Sequence, residues 1–188
     1  MTLYSLILFA HISAVLGLCA ALSLEALSLF HLRRVSTVPE ARRWIDPVPG
    51  LPLVAMGSLL VILFSGIYLA VRMSAFGLAW PKVTVAALLL IAPLGALTGR
   101  RMRAIRMACA DDARAISIAL LGRLQDPFLK VSLGIRIAVF LGIVLLMAAK
   151  TGLWQSIGVV GTSVALGLLS SLLAWGRSGP WPASSTDT

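Results

Sequence analysis

The stretch Leu3 to Leu32, LYSLILFAHISAVLGLCAALSLEALSLFHL, decides the fold class. No Lys, Arg or Pro interrupts it. A helix needs about 20 apolar residues to cross a bilayer, and this segment exceeds that. It also carries His11 and Glu25. Ionisable groups inside a span are costly, so each is a candidate functional residue by default.

Working outward, the whole chain is of the same kind. Of its 188 residues 59% are hydrophobic and 12% charged, with a mean hydropathy of +0.97. A soluble domain carries roughly twice that charge fraction, about 25%. The expected fold is therefore all-α, a single polytopic transmembrane bundle over residues 1–175. Spans are expected near residues 3–32, 53–71, 83–98, 128–149 and 153–175, followed by a flexible tail over 176–188. Pro93 should kink the third span. The N-terminus has no basic stretch ahead of a short apolar core, so the first segment is expected to be retained as a helix.

Between the first two spans, Thr37-Val38-Pro39-Glu40 has capping-box spacing and predicts a short surface helix to Ile45. Asp46 to Pro52, DPVPGLP, then forces an extended connection, because proline restricts itself and the residue before it. Arg100 to Lys130 is the longest polar stretch. Ile105, Cys109, Ile116, Leu120 and Leu124 recur in it near helical spacing, which predicts one or two amphipathic helices. These either lie on the membrane surface or extend the third span.

Charge placement predicts orientation. With the N-terminus outside, twelve Lys and Arg residues fall inside and only Arg72, Lys82 and Lys150 fall outside. That asymmetry predicts an N-out, C-in topology and makes Arg100–Lys130 cytoplasmic, facing anionic lipid head groups. The expected location is the bacterial cytoplasmic (inner) membrane. The net charge of +9 is thus a topology signal. No separate basic soluble domain is available for nucleic acid.

Arg136 enters the fourth span at a depth similar to that of Glu25, about 10 Å from the cytoplasmic end at 1.5 Å per residue. An intramembrane pair Glu25–Arg136 would neutralise two charges that neither helix tolerates alone. It reads either as a structural tie or as a proton-, ion- or substrate-linked pair. His11 lies about 21 Å from Glu25 along the helix and about 30 Å from His31. It reads either as a hydrogen-bonded packing residue or as a contact for a haem iron, a copper ion or a quinone. Ser13, Gly17 and Ala21 lead to Glu25 at four-residue spacing, and Gly134, Ala138 and Gly142 form a similar row. Both rows are candidate helix-packing faces. Phosphate-binding loops, Ser-His-Asp arrangements and zinc-ligand spacings are missing from the sequence, so enzyme is the weaker class.

Phe9-Ala10-His11-Ile12-Ser13-Ala14, Ser65-Gly66-Ile67-Tyr68-Leu69-Ala70 and Trp80-Pro81-Lys82 together resemble the copper-resistance D type of small bacterial membrane protein. The resemblance covers roughly the first half of the chain and implies metal passage. Two function classes stay open on the residues themselves. One is a transport-related or redox-linked membrane subunit using His11 or Glu25–Arg136. The other is a non-catalytic scaffold or accessory protein, acting as a homo-oligomer or against a partner membrane subunit.

Overall fold

The computed structural model describes residues 2–35, 37–45, 50–111, 122 and 126–173. The described chain is an all-helical bundle. Its helices are α1 (Leu3–Leu32), α2 (Val38–Ile45), α3 (Leu51–Arg72), α4 (Ala79–Asp111), α5 (Pro127–Ala149) and α6 (Leu153–Leu173), with a short 3-10 turn at Ala75–Gly77. All but α2 are long and apolar enough to cross a membrane. The chain is a small multi-pass membrane protein.

Local chemistry sets the helix ends. Thr2 caps α1 by accepting from the Ser5 amide at 3.3 Å. Gly50 sits in the left-handed region at φ 84° just before α3, where a side chain would be strained, and Pro52 falls in that helix's first turn. The Asp126 carboxylate caps α5 by accepting from the Phe128 amide at 2.9 Å.

The third span differs from its expected bounds of 83–98. It belongs to a 33-residue helix that runs through Pro93 and on to Asp111. Such a helix is about 50 Å long, well beyond the ~30 Å hydrocarbon core. The Arg100–Asp111 part of the polar stretch is therefore a direct continuation of the span. The rest of it, apart from Gly122 and Asp126 to Lys130, lies outside the described residues, as do residues 174–188.

The bundle has two parts. Helix α1 packs along α3, and α4, α5 and α6 pack together, whereas α1 against α5 and α3 against α4 meet more sparsely. A seam thus separates an α1–α3 half from an α4–α6 half.

Backbone proximity ties α5 to α6. A Cβ added at Gly167 would come within 2.8 Å of the Gly134 carbonyl oxygen and of the Ile135 α-carbon. At Gly142 an added Cβ would meet Ser163. Ala138 lies between these contacts, half-buried.

One end of the bundle is rich in arginine. There α2 folds back against α1 and α4, burying Ala41 and Ile45 in a cluster with Leu29, Leu32, Ile105, Cys109 and Leu129. The Arg42 guanidinium donates to the Cys109 carbonyl at 2.6 and 3.0 Å. Ser28 donates to the Trp44 carbonyl, and the His31 ring stacks on Trp44 at 3.8 Å.

Candidate functional site

Glu25 and Arg136 meet across the seam. The Arg136 Nη2 donates to Glu25 Oε1, joining α1 to α5. The two side chains are 19% and 9% exposed respectively. An ion pair with this little exposure is held by the mutual need of its members, because either charge alone would be left uncompensated. Arg136 also lies beside Gly95 of α4, where an added Cβ would stand 3.5 Å from Nη1. Three helices therefore converge on one guanidinium. Its Nε is buried and has no hydrogen-bond partner. One turn of α5 towards the arginine-rich end, Thr98 donates to the Leu94 carbonyl at 2.9 Å and accepts at 2.8 Å from Ser132, whose hydroxyl also lies 3.3 Å from that carbonyl.

The face of α1 that carries Glu25 is not the four-residue row. Ser13 is exposed, Gly17 is half-buried against Ser58 of α3, and Ala21 is buried. Steps of four residues rotate by about 40° each, so Ser13 and Glu25 stand about 120° apart around the helix. The inward face instead alternates steps of three and four. It comprises buried His11, Ala14, Leu18, Ala21, Ser28 and Leu32, with Glu25 half-buried on the same line. This is the 3.5-residue repeat of helices that pack lengthwise, and it is visible in the sequence. Helix α5 repeats it at buried Leu129, Ser132, Arg136, Val139, Ile143 and Leu146.

His11 is buried near the end opposite the arginines, 8% exposed. Its Nδ1 lies 2.8 Å from Ser65 Oγ on α3, while that hydroxyl donates to the Val61 carbonyl. The single hydroxyl proton is thereby used, so the network assigns Nδ1 as the donor to Ser65 Oγ. The imidazole edge rests on Gly66, where an added Cβ would stand 3.3 Å from Cε1. Neither Ser65 nor Gly66 supplies the thiolate, thioether or second imidazole that copper selects. Among the described residues no three His, Cys, Asp or Glu side chains gather. Ser65 and Gly66, which meet the imidazole, thus do not supply a copper ligand set.

The histidine and the ion pair thus occupy one inward line of α1 at different depths, with no contact between them among the described interactions. Comparison of the chain with protein-family models, with curated proteins and with solved structures gives no match.

Proposed function

We propose that this chain is a transport-related subunit of the bacterial cytoplasmic membrane, N-terminus outside and C-terminus inside, with Glu25–Arg136 as a proton-linked lock between its two halves. The observation that supports this is the position of the pair. It bridges α1 and α5 where the two halves are otherwise sparsely joined.

A charge at the centre of a span costs about 2.5–3.5 kcal/mol on insertion scales, so pairing holds the halves together. Protonating Glu25 removes the attraction and leaves Arg136 charged and unpartnered in an apolar seam. That bias favours any arrangement in which Arg136 reaches water or an anionic substrate. The arginine-rich end carries Arg33, Arg34, Arg42, Arg43 and the turns beyond Arg100. Facing the cytoplasm, it meets anionic head groups, each basic residue contributing about 1 kcal/mol.

The test uses proteoliposomes with a trapped pH dye and an inside-negative diffusion potential. Wild-type vesicles should acidify faster than Glu25→Gln vesicles and protein-free vesicles. Equal rates in all three would overturn the proton-linked lock and leave the pair a structural tie.

A further inference from the structure

Near the end opposite the arginines, the seam opens into a groove between α3 and α4. It encloses about 40 Å3 and widens to an open mouth. Its α3 wall runs from Ile62 past Gly66 to Ala70, and its α4 wall from Trp80 past Thr84 to Leu88. Gly66 lines that wall through its backbone, and the place its side chain would take is filled from behind by the His11 ring, 3.3 Å from an added Cβ.

Two polar atoms on the α4 wall have no partner. Thr84 is only 4% exposed, yet its hydroxyl makes no hydrogen bond, and neither does the buried Trp80 Nε1. A helical threonine commonly turns its hydroxyl to the carbonyl four residues back. Thr98 on the same helix does so, to Leu94 at 2.9 Å. Thr84 does not. Buried polar groups left unpaired cost roughly 1–3 kcal/mol each, so two at one place call for an explanation.

An indole N–H can only donate, and the threonine hydroxyl beside it has its proton to give. The occupant must therefore present hydrogen-bond acceptors. Trp80 sits in the first turn of α4, the level at which tryptophans mark the boundary between head groups and hydrocarbon. Thr84 is one turn deeper, about 6 Å along the axis. Ile62 and Leu88, deeper still, are wholly apolar. The groove is thus polar at the boundary and greasy inward, in the same order as a bilayer lipid.

From this order we infer that the α3–α4 groove is a binding site for a membrane glycerolipid. Its ester carbonyls accept from Trp80 Nε1 and the Thr84 hydroxyl, and an acyl chain lies along Ile62, Gly66 and Leu88. A glycerolipid is chosen over other carbonyl-bearing lipophiles because its esters reside at this depth in any bilayer. The site is separate from Glu25–Arg136 and does not depend on how that pair works.

The experiment is native mass spectrometry of the full chain, purified in detergent and stripped of lipid. It is titrated with diacyl phosphatidylglycerol and with the dialkyl ether analogue, which has the same head group and no ester carbonyls. Wild-type protein should bind the ester lipid at least about fivefold more tightly, the factor expected from a single hydrogen bond. Thr84→Val and Trp80→Phe should each reduce that preference, and the double variant should abolish it. If Trp80→Phe disturbs packing, Thr84→Val keeps the side-chain shape and carries the comparison alone. Equal binding of ester and ether lipids by wild-type protein would overturn the proposal. So would an ester preference that survives in the double variant, or displacement of the ester lipid by a stoichiometric short-chain quinone.

Discussion

Ser65 has one hydroxyl proton, and its direction determines what His11 can do. With that proton on the Val61 carbonyl, His11 donates through Nδ1. Ser65→Ala should therefore strip the buried imidazole N–H of its 2.8 Å acceptor, leaving only the Ile62 carbonyl, and cost up to about 1–3 kcal/mol. Unfolding in mixed detergent micelles measures this, and a loss below a few tenths would show that the bond is dispensable. The Glu25–Arg136 pair makes a sharper prediction. Removing one partner, by Glu25→Gln or Arg136→Met, should destabilise by about 3–5 kcal/mol, while the double variant should lose less than either single change. Additive losses in the same unfolding assay would mean that the two groups do not depend on each other. Arg136→Lys should not restore the wild-type level, because an ammonium lacks the planar fork that reaches Glu25 while lying beside Gly95. At this scale the sequence named the right partners, since opposite charges at matched depth leave few alternatives. The bonds of His11 and the unpartnered hydroxyl of Thr84 were not legible, because they depend on the rotation of one helix against another.

Two kinds of glycine share helix α6, and they should respond oppositely to the same substitution. An added Cβ at Gly167 would enter the backbone of α5, whereas Gly158 has nothing within 4 Å. Gly167→Ala should cost about 1–3 kcal/mol, the usual range for overpacking. Gly158→Ala should be neutral or stabilise by up to about 1 kcal/mol, through helix propensity alone. Thermal unfolding of the two variants in one detergent checks the contrast, and equal effects would remove Gly167 from the α5–α6 contact. The inward rows were legible in part. Gly134 and Gly142 do lie against α6, but Ser13 lies outside the contact, because a four-residue row winds around the helix within a few turns. The buried residues follow an alternating three-and-four pattern instead, which nearly matches the helical repeat and stays on one face.

Orientation is a property of the whole molecule, and basic residues concentrated at one end of the bundle predict it. In a background with Cys19 and Cys109 replaced by alanine, Ser74→Cys should react with a membrane-impermeant thiol reagent applied to intact cells. Thr37→Cys should react only after the membrane is opened. Both residues are exposed, at opposite ends of α3 and α1. The reverse labelling pattern would invert the topology and place the arginine-rich end outside.

Span number and class were decided by the sequence alone, because the cost of placing a segment in hydrocarbon is close to a sum over its own residues. The same holds for the short helix after Thr37, where the local backbone chemistry suffices. Of the connection expected to be extended over Asp46 to Pro52, residues 46–49 lie outside the described residues, and Leu51 and Pro52 instead open α3, because a proline is tolerated in a helix's first turn. Only the tertiary structure decided that α4 runs unbroken to Asp111, and that a half-and-half seam holds both the ion pair and the groove. Glu25 and Arg136 are 111 residues apart, and Trp80 and Thr84 acquire their meaning from the wall that α3 sets opposite them. Contacts of that kind depend on how closely and at what rotation helices approach. That is settled by packing across the bundle, where Gly17, Gly66, Gly134 and Gly167 allow backbones to come near.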